Sequence, residues 1–186
     1  MELEKLKKSL EESPIVKYGE YNYFIHPITD GVLEMPPEVL EEVTEAIMQT
    51  SSFEGCNKLV TAEAMGIPLG IAVSLKSGLP LNIIRKKSYG LEGEHKIKQI
   101  TGYSKSDMYI NALEAGDRII LIDDVLSTGG TLKCILETLR DMDVEVLEVI
   151  IAIEKTDRKK ELERELGIEI KTLVKVEVVE GKVVVE

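Results

Sequence analysis

The run from Arg118 to Leu139, RIILIDDVLSTGGTLKCILETL, constrains the fold more than any other part of the chain. An apolar stretch ends in two adjacent aspartates. A turn of small residues follows, and then a helical pattern begins. The order reads as buried strand, tight turn, helix. Asp123 and Asp124 then fall at the carboxyl end of a strand, which is where ligands sit in open parallel sheets.

The same alternation recurs along the chain. KLVTAEAMGIPLGIAVSLKSG reads as strand, turn and helix, opened by Leu59 and Val60 and closed by Gly78. LPLNIIRKK is a short strand, VEVLEVIIAIEK a buried one, and RKKELERELG an exposed helix. IEIKTLVKVEVVEGKVVVE is extended, with a turn at Glu180 and Gly181. Near the N-terminus, Leu3, Leu6 and Leu10 keep helical spacing until Pro14 stops it. IVKYGEYNYFIHP gives one or two short extended pieces around Gly19. PPEVLEEVTEAIMQT is a helix with Pro36 and Pro37 at its start. Strands alternating with helices predict an α/β fold, a central mostly parallel sheet flanked by helices. The length of 186 residues suits one domain with small terminal additions. The polar segment 87–107, with Gly90, Gly93 and Gly102, is too long for a plain connector and reads as a lid loop.

Composition narrows the partners. A formal net charge of −11 argues against a nucleic-acid or membrane partner. No apolar run nears the ~18 residues that span a bilayer, and the charged, helical N-terminus does not resemble a signal peptide. Cys56 and Cys134 form no CxxC pair and are expected to be buried, reduced thiols of a cytoplasmic protein. His26 and His95 are the only histidines, so no cluster has metal-ligand or catalytic-triad spacing.

The turn after the acids supplies Ser127, Thr128, Gly129, Gly130 and Thr131. Small residues let backbone N–H groups converge on an anion, and the helix N-terminus adds a favourable dipole. A phosphate suits that turn. Two carboxylates would repel it unless they face hydroxyl groups or a divalent metal, so the combination points to a sugar phosphate. A strand cap and an ordinary turn account for each half separately but not for the two together. The turn is neither GxxxxGK[ST] nor GxGxxG. Arg85, Lys86 and Lys87 would alone read as a solvated strand end; beside a phosphate turn they read as diphosphate contacts.

IILIDDVLSTGGTL resembles the phosphoribosyl-diphosphate signature of the type I phosphoribosyltransferases. The resemblance implies that Asp123 and Asp124 bind the ribose hydroxyls and that Ser127 to Thr131 hold the 5′-phosphate. TAEAMGIPLG resembles that family's first diphosphate loop, placing Ala62, Glu63, Ala64 and Met65 in it. IIRKKSYGL resembles the basic strand end before the flexible loop, and TGYSKSD the mobile loop itself, with Tyr103 and Ser104 closing over the substrate. IAIEKTDRKKELERELGIEIKTL is similar to the C-terminal part of the xanthine enzymes. The whole set, with YNYFIHPITDGV, is most similar to the archaeal hypoxanthine phosphoribosyltransferases. The resemblance implies a hood over the base, built from roughly 1–35 and 155–186, in which Lys155 donates to the purine 6-oxo group and His26 is a base contact. It further implies 5-phospho-α-D-ribose 1-diphosphate and hypoxanthine or guanine as substrates, with IMP or GMP and diphosphate as products. Mg2+ held by substrate oxygens and water, and a homodimer, are implied as well. Adenine or xanthine as the base, and a regulator that senses the phosphoribosyl donor, are the alternatives. In human-type hypoxanthine-guanine enzymes an acid occupies the position of Ser127. A serine is no base at neutral pH, so Asp124, Glu63 and water remain open for the purine N7 proton.

Overall fold

Six strands form the central sheet of this computed structural model, which describes residues 2–19, 21–97 and 107–186. In chain order, α1 (Glu4–Glu11) precedes a hairpin of β1 (Ile15–Tyr18) and β2 (Tyr21–Phe24), then come α2 (Pro27–Asp30) and α3 (Pro37–Thr50). Next follow β3 (Lys58–Ala62), α4 (Gly66–Ser77), β4 (Leu81–Ile84), β5 (His95–Ile97) and β6 (Met108–Ile110). The chain continues through β7 (Arg118–Leu126), α5 (Gly130–Asp141), β8 (Glu145–Glu154), α6 (Lys159–Leu166), β9 (Ile170–Val179) and β10 (Lys182–Val185). The sheet order is β10-β9-β8-β7-β3-β4, with every pair parallel except β9 with β10.

Alternation along the strands divides the core in two. Leu59, Ile120, Ile122, Ile150 and Ala152 pack against Leu6, Leu10, Val43, Ile47, Leu69 and Val73 of α1, α3 and α4. Val60, Leu121, Val149 and Ile151 face the other way, onto α5, α6 and the β5–β6 ribbon. Strands buried on both faces read as continuous apolar runs, which is why β7 and β8 stand out in the sequence.

The expected helices and sheet are present, and three local expectations change. β7 does not stop at the aspartates but continues to Leu126, because Val125 and Leu126 pair with Ile153 and Glu154 of β8. The 87–107 segment is not all loop: His95–Ile97 pairs with Met108–Ile110. The cysteines are half-buried rather than buried, since Cys134 lies off the stripe of Leu132, Ile135, Leu136 and Leu139 that α5 presents to the core. Among the described residues no helix is long and apolar enough to cross a membrane.

Candidate active site

From β3 the chain steps through α4 to β4 on one side; from β7 it steps through α5 to β8 on the other. The helices lie on opposite faces, so the carboxyl ends of β3 and β7 flank a topological switch point. The loop after Ala62 and the turn after Leu126 both open there. Parallel pairing also brings the ends of β4 and β8 to the same edge of the sheet.

The paired acids sit at this crevice. Asp124 is buried and Asp123 half-buried, and the Asp124 N–H donates to Asp123 Oδ1 at 3.0 Å. Burial pushes both carboxyls above the ordinary carboxylate range. Each is the other's neighbour, and for Asp124 the Asp123 charge adds to the rise. Two carboxyls so placed cannot both ionise cheaply, which suits a site that receives hydroxyl donors or a cation.

Beyond them, Ser127 and Thr128 are exposed where the turn enters α5. A cavity of about 170 Å³ is lined by the stretch from Asp123 to Leu132 and by Ile151. Gly129 caps the helix with φ +76°, and a Cβ there would lie 2.7 Å from Leu162 Cδ1. Only glycine meets both demands. An α-helix has no intrahelical acceptors for the N–H groups of its first turn, and α5 begins at Gly130. A helix N-terminus of this kind suits an anion.

Glu63 connects two loops far apart in sequence. Its carboxylate pairs with Arg85 Nε at 2.5 Å and accepts the Lys86 N–H at 2.5 Å. The Glu63–Ala64 peptide is cis, and Met65 packs against Gly31. The structure thus brings the Ala62–Met65 loop to the basic strand end. Lys86 and Lys87 are exposed, with Lys87 over the Tyr89 ring at 5.8 Å. Tyr103 and Ser104 lie outside the described residues.

At the far rim, a cavity of about 470 Å³ is lined by residues including Asn22, Phe24, Lys155, Arg158 and Lys175. Lys155 Nζ sits 4.1 Å from the Phe24 ring centroid and 4.3 Å from that of Tyr23. Burial lowers its pKa, with the Asp30 charge opposing. A surface ion pair does not explain this lysine. Glu154 accepts from Thr172 at 2.8 Å and lies 3.6 Å from Lys159, while Asp157 pairs with Lys175 at 2.8 Å.

His26 corrects the sequence reading. It is 0% exposed, not open to a base. Its Nδ1 accepts the Ile28 N–H at 3.1 Å, capping α2, and its Nε2 meets Ser9 Oγ at 2.9 Å. Both ring nitrogens are thereby used inside the protein. Asp30, which the sequence did not single out, is held by Tyr23 Oη, Thr29 Oγ1 and the His26 N–H at 2.6, 2.6 and 3.0 Å. A four-residue helix shows no periodicity, so nothing in the sequence marks it.

Comparison with known proteins agrees with this geometry. The phosphoribosyl transferase domain family matches residues 35–181. A Methanobacterium paludis protein named hypoxanthine/guanine phosphoribosyltransferase is 50% identical over 183 residues, covering 98% of this chain and 96% of that one. One of the same name from Methanocaldococcus jannaschii is 50% identical over 180 residues, covering 97% and 98%. The fold matches the crystal structure of adenine phosphoribosyltransferase from Saccharomyces cerevisiae with a TM-score of 0.75 at 23% identity, over 92% of this chain and 97% of that one. The strand-end acids, the glycine-capped turn and these matches have one reading: the chain belongs to the phosphoribosyl transferase family.

Proposed function

We propose that the protein is a purine salvage enzyme that transfers the 5-phosphoribosyl group of 5-phospho-α-D-ribose 1-diphosphate to hypoxanthine, and also to guanine. The bond from C1′ to the diphosphate oxygen breaks, the bond from C1′ to purine N9 forms, and the base gives up a proton. The observation that carries this reading is the pair Asp123–Asp124 against the turn into α5, in a chain half identical to proteins named for that activity.

Asp123 and Asp124 are assigned to the ribose hydroxyls. There their charge also stabilises the cation that develops at C1′. Ser127 to Thr131 take the 5′-phosphate. The Ala62–Met65 loop, with Arg85, Lys86 and Lys87, takes the diphosphate. Lys155 donates to the 6-oxo group, because an ammonium can only donate and adenine offers an amine there. For the N7 proton, Glu63 is engaged with Arg85 and the Lys86 N–H, which leaves Asp124 or water. Tyr103 and Ser104 close over the substrate and exclude water from the cationic centre. Residues 1–186 are read as one unit, with roughly 1–35 and 155–186 as the hood.

Among the described residues no three His, Cys, Asp or Glu side chains come together to hold a metal by themselves. The carboxylate oxygens of Asp123 and Asp124 are hard donors that suit the water shell of Mg2+. When bound, Mg2+ supplies charge neutralisation to the leaving diphosphate. A cytoplasmic homodimer completes the reading. Ile71 and Leu75, one turn apart on α4 and 47% and 82% exposed, support a second copy as partner.

The test is turnover with hypoxanthine, guanine, xanthine and adenine, with and without a chelator. Hypoxanthine is expected to exceed adenine at least roughly tenfold in kcat/KM, and chelation to stop the reaction. Adenine turned over as well as hypoxanthine refutes the base assignment, and no turnover of any base refutes the enzyme.

A further inference from the structure

Thr61 stands next to the last residue of β3 and is 0% exposed. Its hydroxyl has no hydrogen-bond partner among the described residues. Buried polar groups in folded proteins are nearly always paired, so an unpaired one calls for a cause. The neighbours suggest one. Thr61 is in register with Ile122 of β7, and the next residue on β7 is Asp123. A Cβ built on Gly66 would lie 2.1 Å from Thr61 Oγ1 and 2.9 Å from Asp123 Oδ1. The two oxygens therefore border the same point, and α4 begins there with the one residue that leaves it clear. A turn later, a Cβ on Gly70 would lie 3.1 Å from Thr61 Cγ2, so α4 lies directly on the threonine and shuts its hydroxyl away from solvent.

We infer that Thr61 is a positioning residue for Asp123, its hydroxyl being the buried donor that the carboxylate takes up when it turns to the hydroxyls of its ligand. The inference rests on the ribose assignment above. Asp123 Oδ1 accepts the Asp124 N–H at 3.0 Å and the carboxyl shares a side-chain hydrogen bond with Asp124, while an ionised carboxylate has about four acceptor sites, which leaves room for a further donor. Burial works against ionisation of this acid, and a hydroxyl donor on the protein side offsets that while fixing the direction of the carboxylate. The methyl group has a separate task, packing under Gly70.

Two substitutions separate the tasks. Thr61→Val keeps the shape and removes the hydroxyl; Thr61→Ser keeps the hydroxyl and removes the methyl. Thermal midpoints and steady-state kinetics with 5-phospho-α-D-ribose 1-diphosphate and the preferred purine are measured for both and for wild type. Thr61→Val is expected to melt no lower than wild type, since it deletes an unpaired buried hydroxyl. Its kcat falls at least about tenfold with the purine KM within about twofold, the mark of an interaction made in the transition state. Thr61→Ser recovers most of kcat while melting lower. Activity thus follows the hydroxyl and stability the methyl. The inference is overturned by Thr61→Val turnover within about twofold of wild type, by Thr61→Ser as slow as Thr61→Val, or by Thr61→Val melting well below wild type, which would put the hydroxyl in the service of the fold. A wild-type protein inactive on every purine brings down the functional reading and this inference with it. An active wild type with an equally active Thr61→Val brings down the inference alone.

Discussion

Replacing His26 by Asn is expected to flatten the loss of stability in acid while leaving the purine KM in place. The ring is buried, and Nδ1 must stay unprotonated to accept the Ile28 N–H at 3.1 Å. The proton of the neutral ring is therefore on Nε2, donated to Ser9 Oγ at 2.9 Å. Burial lowers the pKa from 6.5 to about 4, with the Asp30 charge opposing. The unfolded chain takes up a proton near pH 6.5 and the folded one only near pH 4, so this group removes stability as pH falls through that window and contributes nothing above it. At 1.36 kcal/mol per pKa unit the full loss is about 3 kcal/mol below pH 4, and about 2 kcal/mol is lost already at pH 5. An asparagine amide oxygen can still cap α2 but does not titrate. Urea unfolding of both proteins at pH 7.5 and pH 5 measures the difference, and carboxylates common to both cancel in the subtraction. Wild type is expected to lose about 2 kcal/mol more than His26→Asn between the two pH values. Parallel losses refute the buried neutral imidazole. A purine KM shifted more than about tenfold in His26→Asn restores the histidine as a base contact.

Asp123→Asn and Asp124→Asn are each expected to lower kcat at least about a hundredfold with an unchanged circular dichroism spectrum, since an amide carries no charge for the developing cation; normal turnover in both removes the ribose assignment. Lys155→Met is expected to cut hypoxanthine kcat/KM about tenfold and to narrow the gap to adenine, because it deletes the donor to the 6-oxo group. An unchanged base ratio contradicts that contact. Gly129→Ala forces a side chain into φ +76° and to within 2.7 Å of Leu162. It should cost about 1–2 kcal/mol in a thermal melt and raise the KM for the phosphoribosyl donor, and wild-type values for both would show that the turn does not need glycine.

The sequence by itself determined the alternation of β3, α4, β7, α5, β8 and α6, because periodicity and glycine stops are local signals that each segment carries alone. It also marked Asp123, Asp124 and the Ser127–Thr131 turn, which lie together in one stretch of chain. Contacts between segments distant in the chain were decided elsewhere. That β7 runs on to Leu126 depends on pairing with β8, and that His95–Ile97 is a strand depends on finding Met108–Ile110. Glu63 meets Arg85 only because β3 and β4 are adjacent and parallel. Lys155 reaches Tyr23 and Phe24 only because the N-terminal hairpin lies over the end of β8. His26 is the sharpest case. A lone histidine near a predicted site has the same chemistry whether it faces a ligand or caps a helix, and only burial, set by the packing of α1 and α2 around it, assigns its two nitrogens to Ile28 and Ser9. Local pattern specifies what a residue is able to do; the tertiary structure decides which partner is within reach and how much water is left beside it.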